Sequence, residues 1–248
     1  MAALSPSSTT TPSDAPHEVL AAQNKLLFDR LRLPPIVHAG KRVQAPREAC
    51  QRLHTACRAA FAAAEARGEH GGLFLSAGGA SKCFWGFQNY DRVQASLNPQ
   101  VQRQFTTMLP LHEVEDARWR PLLFGGLDGL EELVGYAKGL AEGHTLLACH
   151  MLRQDSEQAC FGWHQDNLNN PHTHISMVFM LSSSKSSMQV AGSDPFIYDG
   201  VGSGVIFPSA AHHRSGPASR GTLKITFFFG VSQSSAAMFL SRKMRGEW

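Results

Sequence analysis

The second half of this chain of 248 residues consists of short apolar or alternating runs with turn-forming residues between them. Seven runs from Thr145 onward have the length and composition of β-strands: TLLACHML, ACFGWHQD, HISMVFML, SMQVAG, PFIYD, GVIFP and LKITFFFGV. Many short strands separated by Gly, Ser, Pro and Asn indicate an antiparallel sandwich or barrel. Helical patterns precede the strands as a block and do not alternate with them. We therefore expect an α+β fold in which helices flank the β core.

Three helices are predicted ahead of the strands. Residues 17–33 form an amphipathic pattern that stops at the Pro34–Pro35 pair. A second helix follows Pro46 and carries an apolar stripe up to a glycine in a C-cap position. The third has Asp128 and Glu131 at the spacing of a capping box, followed by apolar residues at the helical period.

Composition excludes several classes of protein. A net charge of +3 does not by itself demand a nucleic-acid partner. The five cysteines are odd in number and contain no CxxC pair, which argues against a disulfide framework and a structural zinc site. We expect reduced thiols and a cytoplasmic or nuclear protein. The Ser/Thr-rich start leaves plastid targeting open, although it lacks arginine. No apolar run approaches the ~20 residues of a membrane span.

The motif His164-x-Asp166 lies in the second predicted strand. Because residues i and i+2 of a strand point to the same face, an imidazole and a carboxylate would converge there, as a metal site or a proton relay requires; a surface pair is the alternative. About fifty residues later, His212 and His213 follow another predicted strand. Two imidazoles and one carboxylate on one face of a metal leave the opposite positions open, which suits non-haem iron(II).

A cation and a hydroxyl share one face of the last predicted strand. Lys224 comes eleven residues after His213, and Thr226 lies two residues further on, with Ile225 on the other face. Such a pair could hold the far carboxylate of a dicarboxylic acid. Arg220, which lies beside a glycine in a predicted turn, competes with Lys224 for this role.

In this order of motifs the chain resembles the iron(II)- and 2-oxoglutarate-dependent dioxygenases. The pattern is His-x-Asp, then about fifty residues, then His, then a basic residue followed at i+2 by Ser or Thr, and it covers roughly residues 145–232. The resemblance implies a double-stranded β-helix, a variant of the jelly roll. It also implies that His164, Asp166 and His213 bind Fe(2+).

The same resemblance implies that Lys224 and Thr226 bind the distal carboxylate of 2-oxoglutarate. Members of the family more often use arginine there, which keeps Arg220 as an alternative. The doublet of histidines leaves the distal metal ligand ambiguous. His213 is preferred to His212 because Pro217 follows it by four residues, and family members often have an apolar residue or proline a few positions after this ligand.

Four segments are expected on this basis. Residues 1–16 form a disordered tail, residues 17–144 a helical and mixed part that packs on the core, residues 145–235 the jelly-roll catalytic core, and residues 236–248 a basic C-terminal tail.

The function implied is hydroxylation of a substrate with consumption of O2 and conversion of 2-oxoglutarate to succinate and CO2. The substrate class stays open between a nucleobase, a protein side chain and a small molecule. The basic C-terminal tail, the arginines of the second helix and the aromatic segment 84–90 favour nucleic acid slightly. A non-catalytic jelly-roll domain that binds metal or a partner is the alternative, and the oligomeric state is left open.

Overall fold

The fold is seen in a computed structural model of the chain. The residues that it describes are 16–32, 35–66, 106–113, 127–154, 162–166, 172–216 and 218–231. Several residues used in the sequence analysis lie outside these ranges, namely 1–15, 84–90, 236–248 and Pro217.

Four helices and nine strands occur in the described ranges. The helices are α1 (His17–Leu31), α2 (Pro35–His38), α3 (Arg47–Ala66) and α4 (Leu130–Leu140). The strands are β1 (Lys41–Gln44), β2 (Thr106–Glu113), β3 (Thr145–Gln154), β4 (Thr173–Met180), β5 (Ser187–Val190), β6 (Phe196–Ile197), β7 (Ser203–Pro208), β8 (His213–Ser215) and β9 (Leu223–Gly230).

The strands form two sheets in which every pairing is antiparallel. The larger sheet has the order β1-β7-β4-β9-β3-β2, and the smaller sheet has the order β6-β5-β8. Strand β4 lies between β7 and β9, so strands that are distant in sequence are neighbours in the sheet. This topology confirms the predicted α+β class with an antiparallel jelly-roll core and helices ahead of it.

Two apolar clusters divide the faces of the larger sheet between them. On β9, Ile225 and Phe227 belong to the outer cluster, together with Leu53 of α3 and Leu133 of α4. The inner cluster contains residues from α1, β4, β5, β6 and β7, namely Phe28, Met180, Met188, Val190, Phe196, Val205 and Phe207, with Tyr198 and Ala211 from the loops. Because side chains alternate along a strand, Lys224 and its neighbours at i±2 point toward the inner cluster.

The sequence prediction of strands is wrong at the HxD segment. Between residues 162 and 166 the structure has a single bridge at His164 and no continuous strand. Three strands of the structure, β1, β2 and β8, were not predicted. They are short or lie in segments without strong alternation. Each forms a strand because it pairs with a longer strand, and its own sequence does not indicate this.

The predicted capping box at the third helix is also wrong. Helix α4 begins at Leu130 with Gly129 as its N-cap, and no side chain caps it. The carboxylate of Asp128 instead accepts a hydrogen bond of 3.1 Å from Arg52 Nε on α3. Arg52 also donates to Glu132, so this arginine joins two helices.

None of the helices in the described ranges is long and apolar enough to cross a membrane.

The two glycines at and in α4 provide a test of the packing between α3 and α4. Gly129 has a φ of +85°, and an added Cβ would lie 2.3 Å from the Ala49 carbonyl oxygen of α3. We expect Gly129→Ala to reduce the free energy of unfolding by about 1–3 kcal/mol, through backbone strain and a forced shift of α3. Gly135→Ala, in an exposed position with open space around it, should increase it by about 0.5–1 kcal/mol. Urea unfolding of both variants measures the difference, and equal stabilities would contradict the packing.

Candidate metal centre

Three side chains with metal-binding atoms meet at the edge of the smaller sheet. The donor atoms of His164, Asp166 and His213 all lie within 4.8 Å of one another. The Nε2 atoms of both histidines are 3.5 Å from Asp166 Oδ1. The two imidazole rings have their centroids 4.2 Å apart. The set of two histidines and one aspartate predicted from sequence is therefore brought together in one place.

Backbone pairing brings these side chains together. His164 and His213 exchange both main-chain hydrogen bonds at 2.9 Å, and the Asp166 amide donates to the Ser209 carbonyl at 2.9 Å. Between them, the side chain of Gln165 donates to the Ala210 carbonyl. The segment is thus anchored residue by residue to the loop before β8. The convergence of His164 and Asp166 comes from this anchoring and not from the continuous strand that was expected.

Both histidines present the same ring nitrogen to Asp166. His164 Nδ1 lies 2.7 Å from the Gly162 carbonyl oxygen, and His213 Nδ1 lies 2.9 Å from the Ala211 carbonyl oxygen. Because a carbonyl only accepts, each Nδ1 must carry the proton and donate it. The lone pair of a neutral ring is then on Nε2, facing the carboxylate. A carbonyl partner of this kind fixes both the tautomer and the orientation of a metal-binding histidine.

The charges of the group are coupled. Burial opposes ionisation of Asp166, but the two histidines outweigh it and hold the pKa of this carboxyl well below its usual range. Burial also lowers the pKa of His164, yet the hydrogen bond and charge of Asp166 leave it raised overall. The group therefore keeps an ionised carboxylate at neutral pH. A proton would compete with a metal for His164 as the pH falls.

His212 lies outside the group formed by its neighbour. Its side chain is buried, and Nδ1 has no hydrogen-bond partner in the described part of the chain. Burial lowers the pKa of His212, and the nearby His213 and His164 lower it further. Of the two histidines left open by the sequence, the structure thus places His213 beside Asp166.

Lys224 is buried between the sheets. Its Nζ lies 5.3 Å from the centroid of the Tyr198 ring, and burial lowers the pKa of Lys224 to about 8. No carboxylate of the described residues lies within ion-pair distance of it. Thr226, on the same face, has a buried hydroxyl with no hydrogen-bond partner among those residues. Arg220, the competing cation, is exposed in the turn before β9.

Three other histidines, in or next to the strands, lie outside the group. His172 and His174 are at the start of β4, and the ring of His174 contacts His144 at 5.6 Å between centroids. His150 pairs in register with Thr226 across β3 and β9, and its side chain is outside what the structure describes.

Asn24 of α1 contacts the segment of the distal histidine and was not identified from sequence. It is almost fully buried and bonds to the backbone of His212. The signal for it is the spacing of the buried positions Leu20, Asn24 and Phe28, because an amide at the middle of an apolar stripe needs buried partners.

Comparisons with known proteins give structural likeness at low identity. No family model matches the chain, and no curated protein matches it. Among solved structures, it is similar to an oxidoreductase of the 2OG-Fe(II) oxygenase family from Burkholderia pseudomallei, with 15% identity, a TM-score of 0.36, and coverage of 50% of this chain and 67% of that one.

Two further structures illustrate the range of the likeness. A prolyl hydroxylase from Trichoplax adhaerens, in complex with a peptide fragment of the hypoxia inducible factor oxygen degradation domain, matches with 10% identity, a TM-score of 0.40, and coverage of 92% of this chain and 99% of that one. The DMSP lyase DddQ from Ruegeria pomeroyi matches with 19% identity and a TM-score of 0.28 over 34% of this chain and 38% of the lyase. The structural neighbours therefore include 2OG-Fe(II) oxygenases, and a His-Asp-His triad is present in this chain.

The neighbouring histidines allow a matched test of the metal centre. We expect His213→Ala to weaken binding of Mn(II) by more than about 10-fold, the lower limit seen for residues that only support a ligand. His212→Ala should change the affinity only a few-fold, because its ring nitrogens are not among the donor atoms of the group. Titration of Mn(II) into both variants makes the comparison. The reverse ranking would move the metal ligand to His212.

Proposed function

We propose that this chain is an iron(II)- and 2-oxoglutarate-dependent dioxygenase that hydroxylates a substrate held near His164, Asp166 and His213. The observation that carries the proposal is that one jelly roll holds both a group of two histidines and a carboxylate and, on the inner face of β9, a buried lysine with no acidic partner in the described chain. The first suits iron(II), and the second suits an anionic cosubstrate.

The donor set supports iron(II). Two imidazole nitrogens and one carboxylate oxygen on one side of a metal leave its other positions open for a cosubstrate and O2, and iron(II) is the metal most often found in such a site. The group contains no thiolate, which a copper(I) site or most structural zinc sites would use. Iron(II) would be held by His164, Asp166 and His213, with the protonated Nδ1 atoms directed away from it.

The interior of the jelly roll supports an anionic cosubstrate. A buried ammonium without an opposite charge is costly, and none of the described residues gives Lys224 such a charge. The distal carboxylate of 2-oxoglutarate would provide the missing charge. The hydroxyl of Thr226 can donate a hydrogen bond to the same carboxylate, which would satisfy its unpartnered oxygen. The exposed position of Arg220 favours Lys224 for this role.

Bound together, iron(II) and 2-oxoglutarate would supply the activation of O2, with one oxygen atom entering succinate as CO2 is released and the other entering the substrate. The contribution of the protein is binding, orientation and exclusion of water. Asp166 keeps its negative charge and so partly neutralises a divalent cation. Phe207 packs against the ring of His213 at 4.5 Å between centroids and shields that side of the group from solvent.

The substrate class stays open between a nucleobase, a protein side chain and a small molecule. One argument for nucleic acid is weaker than the sequence indicated, because Arg52 of α3 is engaged by Asp128 and Glu132. Formation of succinate from 2-oxoglutarate in the presence of iron(II) and O2 separates this proposal from a non-catalytic metal-binding domain. A His164→Ala variant that forms succinate at the parental rate would exclude the metal centre as the site of reaction.

Lys224 and Arg220 can be compared as carboxylate-binding residues. Lys224→Met keeps most of the apolar stem and removes the charge. It should raise the 2-oxoglutarate concentration required for half-maximal succinate formation by about 10- to 100-fold, as loss of a charge-assisted pair predicts. Arg220→Met is the matched control and should leave the requirement unchanged. Mn(II) affinity should be the same in both variants. A rise only in Arg220→Met would transfer the role to Arg220.

The lowered pKa of Lys224 predicts a dependence of cosubstrate binding on pH. With a pKa of about 8 in the free protein, Lys224 loses its charge above that pH, whereas a bound carboxylate would keep it protonated. Affinity for 2-oxoglutarate should therefore be constant between about pH 7 and pH 8 and fall by up to about tenfold per pH unit above that range. Calorimetry with the Mn(II)-loaded protein under anaerobic conditions measures this.

Lys224→Arg provides the control for that titration, because a guanidinium stays charged over the whole range. Its affinity profile should be flat from pH 7 to pH 9.5. If the arginine variant shows the same decrease as the parent protein, another group is responsible for it.

A further inference from the structure

We infer that Asn24 of α1 is a positioning residue for His213, so that the N-terminal helix is part of the metal centre. The inference rests on the proposed function in one respect, namely that His213 binds the metal. It adds a residue from a helix that the sequence pattern assigned only to flanking packing.

Asn24 binds the backbone of His212 at two points. Its Oδ1 accepts a hydrogen bond of 2.8 Å from the His212 amide, and its Nδ2 donates at 3.0 Å to the His212 carbonyl. The same Nδ2 donates at 3.0 Å to the carbonyl of Ala191, whose own amide donates to the His212 carbonyl at 2.9 Å. Asn24 is 1% exposed, so water does not compete for these bonds.

These bonds fix the peptide group between His212 and His213. A peptide unit is planar, and its carbonyl belongs to the first residue while its N–H belongs to the second. Asn24 holds the carbonyl side, and the His164 carbonyl accepts from the His213 N–H at 2.9 Å on the other side. With both edges held, the direction in which the His213 side chain leaves the backbone is set. Asn24 thereby aligns one metal ligand with the other.

Helix α1 is held firmly enough to act as a support. Phe28, one turn after Asn24, belongs to the inner cluster between the sheets. An added Cβ on Gly192 would lie 3.4 Å from the Cβ of Ala21, so the helix and the turn after β5 are already in close contact. An amide in the buried stripe of α1 would be less favourable than leucine if packing alone were required. The polar residue is explained by the bonds that it makes.

Metal affinity shows whether Asn24 positions His213 or only attaches α1 to the rest of the protein. Asn24→Leu removes all three hydrogen bonds and keeps a similar side-chain size. Leu20→Ala is the matched control, because Leu20 is a buried residue on the same face of α1 and is one turn away. The full-length chain is titrated with Co(II), a spectroscopic substitute for iron(II), and the visible d–d bands are recorded together with the thermal unfolding midpoint.

We expect Asn24→Leu to weaken Co(II) binding by about 10- to 100-fold and to shift the d–d bands, as loss of a residue that orients a ligand does. Leu20→Ala should lower the unfolding midpoint but leave the affinity and the bands unchanged. Asn24→Asp, which keeps the acceptor for the His212 amide and loses both donated bonds, should change both in the same direction as Asn24→Leu. It decides the question if Asn24→Leu does not fold.

Two negative outcomes are distinguishable. If Co(II) binding depends on His213 and both Asn24 variants behave like Leu20→Ala, the positioning role is wrong and the proposed function stands. If Co(II) binding by the parent protein is insensitive to His213→Ala, the metal centre itself is wrong and the positioning role fails with it.

Discussion

The reciprocal hydrogen bonds between His164 and His213 are the interaction on which the site depends. They join two segments that are distant in sequence and belong to no common strand. Once this pair is formed, both Nε2 atoms can face Asp166, and the carbonyls of Gly162 and Ala211 fix the rings from behind. Each imidazole is thus held at its backbone and at its far nitrogen before any metal binds. A centre prepared in this way loses little conformational entropy on binding an ion.

The two faces of the larger sheet carry different kinds of side chain, because side chains alternate along each strand. On β9, Ile225 and Phe227 enter the outer cluster under α3 and α4, which contains most of the fully buried apolar residues. Lys224 and Thr226 point to the other face, where they carry a charge and a hydroxyl for which the described residues provide no partner. A strand with apolar residues on one face can tolerate such a cost on the other. The two polar residues are therefore in a position that fits the proposed binding of an anionic cosubstrate.

The sequence predicted the elements whose own pattern is strong and missed those that depend on a partner. The long helices and the strong strands such as β9 follow from periodicity. The choice of His164, Asp166 and His213 came from the resemblance to a family motif, and the structure brings their donor atoms together. The HxD strand and the capping box were wrong. At the HxD segment, hydrogen bonds to His213 and to the loop before β8 stand in place of continuous strand pairing. At the third helix, the carboxylate of Asp128 accepts a hydrogen bond from Arg52 of α3 and does not cap the helix. Both partners are distant in sequence, so the local pattern of residues does not predict these contacts.

Asn24 is a residue whose position could be predicted from the sequence but whose partners could not. A 3.6-residue period places it on the buried face of α1, which the sequence interpretation treats as packing surface. The period does not show which part of the protein Asn24 contacts. In the structure, Asn24 contacts the backbone of His212 and Ala191. The N-terminal helix, the turn after β5 and the loop before β8 therefore share one buried hydrogen-bond network. The His212 carbonyl accepts hydrogen bonds from two of these elements. Displacement of α1 would therefore shift the peptide group between His212 and His213, and with it the side chain of His213.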